Sequence, residues 1–359
     1  MKKNSVVILI AIIAVLTSVS LYISSNSSSN RSEDVAIGQK MLPTLFGKLN
    51  DINSFEISNS SGTMLITKSD AGWVIPSKDN YPANVTQIRK NLMELANLEK
   101  VEAKTKKEKN YSKLGVQTNI AANSKITLKT ATGILATIII GNKKSGHTAS
   151  AGGLKSLYYA RLQDDAQAWL TSGSITIPLL KNYMSTELSN IAASRIKSVE
   201  IKPAKGSRIT IHKKTKTDTN YSLKQLKKNK ELANPNDLNQ IASVLANFKF
   251  DDVTLKKASD KTKKPLSVKY SLFNGLEITL TITQANSKFY LQMAAEAATA
   301  TSPVSLKKAD VENQAIVPDA KQEAAEINKK HAQWLYKIPN NKGEILLKSL
   351  NDLVKTKAK

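Results

Sequence analysis

From Val6 to Ile23 (VVILIAIIAVLTSVSLYI) the chain is uncharged and mostly apolar, and nowhere later does it carry such a run. Beyond Leu49 apolar and polar residues alternate in short stretches, broken by glycine, proline and lysine. Ile52-Asn53-Ser54-Phe55-Glu56-Ile57 alternates as a half-buried strand does, and Ile196-Lys197-Ser198-Val199-Glu200-Ile201 repeats it. Each is followed by a glycine turn (Gly62, Gly206), a second alternating strand (Met64-Leu65-Ile66, Ile209-Thr210-Ile211) and a short segment with an aromatic (Trp73, Tyr221).

The period then changes to that of a helix. Val85, Ile88, Leu92, Leu95 and Leu98 fall on one face, as do Leu238, Ile241, Val244, Leu245 and Phe248, each set opening at an asparagine cap (Asn84, Asn236) after a proline. The helices end alike, Leu95-Ala96-Asn97-Leu98 against Leu245-Ala246-Asn247-Phe248. Hairpins follow at Lys125 to Ile140, turning at Gly133, and at Leu266 to Thr283, turning at Asn274-Gly275. A tyrosine-containing strand comes next in each copy (Leu157 to Leu162, Phe289 to Met293). Then comes a short helix predicted at Trp169-Leu170 and Trp334-Leu335, closed by Pro178 and Pro339.

This pattern predicts an α+β protein: an N-terminal transmembrane helix, then two duplicated antiparallel-sheet-plus-helix modules. The expected divisions are 1–23 as anchor or signal segment and 24–43 as tether and lead-in. The first module is expected over 44–187 and the second over 188–359, with an alanine-rich, partly helical insert near 294–330. The lysine-rich stretches Val101 to Lys113 and Leu255 to Lys264 read as exposed connectors.

As a helix, Val6 to Ile23 spans roughly 27 Å, close to a hydrocarbon core of about 30 Å. Lys2 and Lys3 put the N-terminus in the cytoplasm and the body outside, in the periplasm of a bacterium. A cleaved signal segment is the competing reading, since Ser18 and Ser20 fit a small-residue cleavage site; it would release the body into the periplasm. The absence of cysteine excludes a lipidated-cysteine anchor, disulfides, thiolate zinc and a cysteine nucleophile.

The net charge of +24 is almost wholly lysine; the five arginines are Arg31, Arg89, Arg161, Arg195 and Arg208. Base and phosphate readers favour the planar fork of arginine, so nucleic acid is not an expected partner. Diffuse attraction to anionic lipid or an envelope polymer fits better, beside the plainer reading of a solvated lysine-rich surface.

Little in the chain points to catalysis. His147, in a glycine-serine loop, His212, on a strand, and His331, at the start of the last helix, are far apart, and no metal site is expected. Ser194-Arg195-Ile196-Lys197 and Ser305-Leu306-Lys307-Lys308 match S-x-x-K, but chance supplies such matches in a lysine-rich chain. Asp164-Asp165 and Asp251-Asp252 are neighbours whose side chains diverge, so they read as turn or cap residues. No glycine-rich phosphate loop occurs, and no cofactor is expected. Trp169 and Trp334 occupy equivalent places and read as core.

The segments Gly72-Trp73-Val74, Tyr81-Pro82, Tyr111-Ser112-Lys113-Leu114-Gly115-Val116, Ile140-Gly141 and Tyr158-Tyr159-Ala160-Arg161 occur in an order that resembles the DUF4340 family of exported bacterial proteins. The resemblance covers most of Leu49 to Val354, although the second copy lacks most of these segments. It implies companionship with gliding-motility-type ABC transport systems and carries over no catalytic residue. The expected function is thus a membrane-anchored periplasmic binding or scaffold module, non-catalytic, serving an inner-membrane transport complex. Trp73, Tyr81 and Tyr111 are the candidate partner contacts, with a core position as the alternative for Trp73. The other functional readings are a Ser-Lys envelope hydrolase and an electrostatic binder of anionic lipid or polymer.

Overall fold

A computed structural model describes residues 36–119, 124–150, 153–175, 179–257, 265–298 and 319–357. The expected membrane segment Val6 to Ile23 lies outside them, and among the described residues no helix is long and apolar enough to cross a membrane. The chain divides into two compact units, Met1–Met184 and Ser185–Lys359. Both are mixed α+β and dominated by antiparallel sheet.

The first unit holds β1 (Ser54–Asn59), β2 (Gly62–Ser69), β3 (Gly72–Ile75), β4 (Tyr81–Pro82), α1 (Val85–Ala96), β5 (Glu99–Thr105), α2 (Tyr111–Leu114), β6 (Ser124–Thr130), β7 (Gly133–Ser150), β8 (Gly153–Leu162) and β9 (Ala168–Gly173). Its sheet runs β4-β3-β2-β1-β6-β7-β8-β9-β5. Phe55, Ile57, Ile66, Ile126 and Ile138 point to one buried face, where the apolar stripe of α1 (Ile88, Leu92, Leu95) covers them. Each such side chain contributes about 1.5–3 kcal/mol by leaving water. The Asn84 side chain caps α1 by accepting from the Gln87 N–H at 3.1 Å. Tyr183 closes the layer, its ring 5.5 Å from that of Phe55 and its hydroxyl donating to Asn91 Oδ1 at 2.9 Å.

The second unit holds β10 (Glu187–Ser189), β11 (Ile196–Lys202), β12 (Ile209–His212), β13 (Ser222–Leu223), β14 (Lys230–Leu232), α3 (Asn236–Ala242), β15 (Phe248–Lys249) and β16 (Asp252–Leu255). After these come β17 (Leu266–Leu272), β18 (Leu276–Ala285), β19 (Lys288–Ala297), α4 (Ala320–His331), β20 (Trp334–Ile338), α5 (Asn340–Leu347), α6 (Leu350–Leu353) and β21 (Val354–Thr356). Its main sheet runs β13-β12-β11-β17-β18-β19-β20-β16. Strand for strand this is the order of the first sheet without β4. Burial alternates residue by residue along β17, β18 and β20, with apolar side chains against the helices and threonine, serine, lysine and glutamate on the other face. The β17–β18 hairpin turns through Gly275 at φ +87°.

Several local expectations are corrected. Trp169-Leu170 and Trp334-Leu335 lie on strands β9 and β20, not on short helices. Trp334, Tyr336 and Ile338 point inward while Leu335 and Lys337 are half-exposed, a period of two that the following proline disguised as a helix end. The supposed connector Val101 to Lys113 contains most of β5, α2 and a 3-10 turn at Glu108–Asn110. β5 closes the sheet edge against β9, and Lys100 lays its stem along the core with Nζ 4.8 Å from the Trp169 ring centre. The other supposed connector begins inside β16, and 258–264 lie outside the described residues. Asn236 does not cap the second helix, whose cap position is Pro235; the Asn234 side chain instead accepts from the Asn236 N–H at 3.0 Å. That helix ends at Ala242 and passes into a 3-10 turn at Ser243–Leu245. The alanine-rich stretch supplies the end of β19 and most of α4, with 299–318 outside the described residues. Asn328 of α4 caps the free edge of β19, accepting from the Ala295 N–H at 2.8 Å and donating to its carbonyl at 2.7 Å.

Candidate functional site

Two places gather polar side chains from distant parts of the chain. In the first unit, α2 and the turn after it lie against the sheet face opposite α1. Tyr111 and Val116 pack on Ile139 and Ala168, with Leu114 and Tyr159 at the margin. Arg161 of β8 is 5% exposed, and among the described residues no carboxylate forms an ion pair with it. Its Nε donates to the Val116 carbonyl at 3.1 Å, and Nη1 is shared among the carbonyls of Leu162, Gln163 and Asp165 at 3.0–3.2 Å. The guanidinium also stacks on the Tyr111 ring, whose hydroxyl donates to the Ala166 carbonyl at 2.5 Å.

Two glycines make this close approach possible. Gly115 ends α2 at φ +69°, in the left-handed region. Gly141 on β7 passes directly under the turn, and a Cβ there would sit 2.3 Å from the Leu114 carbonyl oxygen. The segments Tyr111 to Val116, Ile140-Gly141 and Tyr158 to Arg161 thus form one knot in which Arg161 Nε and Nη1 and the Tyr111 hydroxyl are all spent on main-chain carbonyls. Its chemistry is that of a clasp.

In the second unit, a cleft of about 300 Å³ opens between β10, the stretch after it and α4. Leu188, Ile191, Ile278, Met293 and Ile327 form its apolar wall. Arg195 and Glu323 close one side as a two-pronged ion pair, Nη1 to Oε1 at 2.9 Å and Nη2 to Oε2 at 2.6 Å. Lys330 Nζ donates to the Glu187 carbonyl at 2.9 Å. His331 is buried at the end of α4, with Nδ1 2.8 Å from the Tyr336 hydroxyl. Burial, with Lys330 beside it, pushes its pKa down to about 4, while the Leu188 backbone bond opposes the shift. A neutral imidazole with partners on both sides joins α4 to β20 and β10. The volume is at the small end for a ligand site.

The residues singled out from sequence are scattered. Trp73 is half-buried on β3, opposite Lys68. Tyr81 is 2% exposed and Tyr111 6% exposed, so both rings are core rather than surface. His147 lies on β7, opposite Ser156, rather than in a loop. His331 ends a helix instead of starting one. His212 is half-buried on β12, and its buried Nδ1 has no hydrogen-bond partner. Ser194 is exposed on the 3-10 turn before β11, and Ser305 lies outside the described residues. Asp165 and Asp252 each accept a local backbone N–H at 2.8 Å, from Gln167 and Val253 respectively. Among the described residues no group of three or more histidine, aspartate or glutamate side chains is placed to hold a metal.

Fold and clasp together define a cysteine-free, two-unit antiparallel α+β protein. The family described as Domain of unknown function (DUF4340) matches residues 73–269, more than half of the chain, and the chain belongs to that family. The match takes in the whole clasp and runs from β3 of the first unit into β17 of the second. No curated protein and no solved structure matches the chain.

Proposed function

We propose that this chain is a non-catalytic binding or scaffold module, held on the bacterial inner membrane by Val6 to Ile23, with its body in the periplasm. There it serves an ABC-type transport complex, and its two modules descend from one duplicated design. The observation that carries this reading is the clasp. The family segments converge on a knot of carbonyl oxygens, aromatic ring and guanidinium, which holds a surface in shape. The shared strand order of the two sheets supports the duplication. The charge-free N-terminal run behind Lys2 and Lys3 supports the anchor.

The test is affinity purification of the full chain from detergent-solubilised membranes. A permease that co-purifies in stoichiometric amount is the expected result. Recovery of the chain alone, or in the soluble envelope fraction, overturns the reading. Stoichiometric labelling of Ser194 or Ser305 by a serine-reactive probe would overturn it in favour of a hydrolase.

A further inference from the structure

Two lysine-bearing stretches distant in the chain are brought together in the second unit by a short strand pair. β14 and β21 pair antiparallel, Lys230 opposite Thr356 and Glu231 opposite Lys355. The pairing is extended by the Lys357 N–H donating to the Asn229 carbonyl at 3.2 Å. This sets Lys355 and Lys357 beside the turn that carries Lys224, Lys227, Lys228 and Lys230, with Lys355 and Lys357 on the face of the two-stranded ribbon opposite Lys230. Lys230 Nζ donates to the Thr356 hydroxyl at 2.9 Å, and Lys355 pairs with Glu231 at 3.4 Å. Asp352 is occupied in the capping box of α6 with Ser349. Between the lysines the turn lifts Leu226 outward, 39% exposed, its N–H held by the Leu223 carbonyl at 3.2 Å.

We propose that this turn docks on an anionic bilayer surface, with the exposed Lys224, Lys227 and Lys228 on the lipid headgroups and Leu226 dipping between them. The inference rests on the reading above that the body is held at a membrane, and adds which face it turns to the lipid. The composition of the turn selects the partner. Lysine ammoniums without arginine suit diffuse headgroup charge rather than bidentate recognition. An exposed leucine with exposed lysines on either side of it in the chain gains from an acyl boundary, and gains nothing from a soluble polyanion.

The test uses the full chain in proteoliposomes of phosphatidylcholine, alone or mixed with phosphatidylglycerol. Because the chain has no cysteine, Leu226→Cys gives a single labelling site for an environment-sensitive fluorophore. The expected result is quenching by spin-labelled lipid in the anionic vesicles, at least several-fold weaker in the neutral ones and lost at about 0.5 M salt. In the Lys227→Gln/Lys228→Gln background the docked-to-undocked ratio should fall roughly thirty-fold, with melting unchanged. A chain retained on both vesicle types whose probe stays in water overturns the docking face while leaving the anchor standing. A chain that floats free of neutral vesicles but is quenched on anionic ones overturns the anchor and supports the face. Protection by soluble polyphosphate and not by anionic vesicles overturns the proposal.

Discussion

The guanidinium carbon of Arg161 lies 4.5 Å from the centre of the Tyr111 ring, across fifty residues of sequence, and the two side chains between them hold five backbone carbonyls. A buried cation surrounded by carbonyl dipoles depends on the donors that reach them, here Nε and Nη1. Arg161→Lys keeps the charge but offers one donor point where the fork supplied several, and should cost about 2–4 kcal/mol. Hydrogen exchange resolved by peptide should show faster exchange over residues 108–119 than in the parent. Unchanged protection there would show that the turn is held without the fork.

Gly141→Ala tests the same clasp from below. Its Cβ would meet main-chain oxygens at 2.3 and 2.8 Å, atoms that no rotamer change can move aside. Gly47→Ala is the control, because a Cβ there meets nothing within 4 Å. The expected outcome is a destabilisation of a few kcal/mol for Gly141→Ala and well under 1 kcal/mol for the control, read from denaturant unfolding. Equal midpoints would sink the close-approach argument.

What was legible in the chain follows from which interactions leave a local trace. Ile57 and Ile201 announce their strands by alternation, Asn84 its helix by capping, and Asn274-Gly275 its hairpin by the turn it permits. β5 was hidden because a lysine such as Lys100 counts as polar although its stem packs on Trp169. β9 was hidden because it is buried along its whole length, polar Thr171 and Ser172 included, so its sequence Ala-Trp-Leu-Thr-Ser-Gly has no alternation to read. The clasp was visible only as recurring segments: the partners of Arg161 are main-chain carbonyls, which leave no mark in side-chain patterning. The cleft unites residues 187–195 with 323–331, and the S-x-x-K match that begins at Ser194 does not point to it, since Arg195 lines the cleft and Ser194 does not.

The buried imidazole of His331 makes the second unit acid-sensitive. Its folded pKa, about 4, lies below the 6.5 of an unfolded histidine, so the unfolded chain takes up a proton first as pH falls. The stability held above pH 6.5 should therefore drain away between pH 6.5 and about 4, by about 3 kcal/mol from this group alone. His331→Gln, which keeps a hydrogen-bonding side chain but cannot titrate, should flatten that part of the pH–stability curve. An unaltered slope in the variant would mean that other groups govern the acid limb.

Trp73 and Tyr81 separate surface from core within one small part of the first sheet. Tyr81 sits opposite Ile75, 2% exposed, so Tyr81→Ala removes a large ring from a packed layer and should cost about 3–5 kcal/mol. Trp73 is half-buried with its carbonyl bound to the Ala83 N–H at 2.8 Å, a backbone bond that survives truncation. Trp73→Ala should therefore melt closer to the parent while losing an aromatic surface of the kind that dominates protein contacts. If the module works by holding a membrane partner through this edge, Trp73→Ala lowers co-purification of that partner at least tenfold at a temperature where the chain remains folded. Full co-purification by Trp73→Ala would place the contact elsewhere on the molecule and reduce Trp73 to a packing residue like Tyr81.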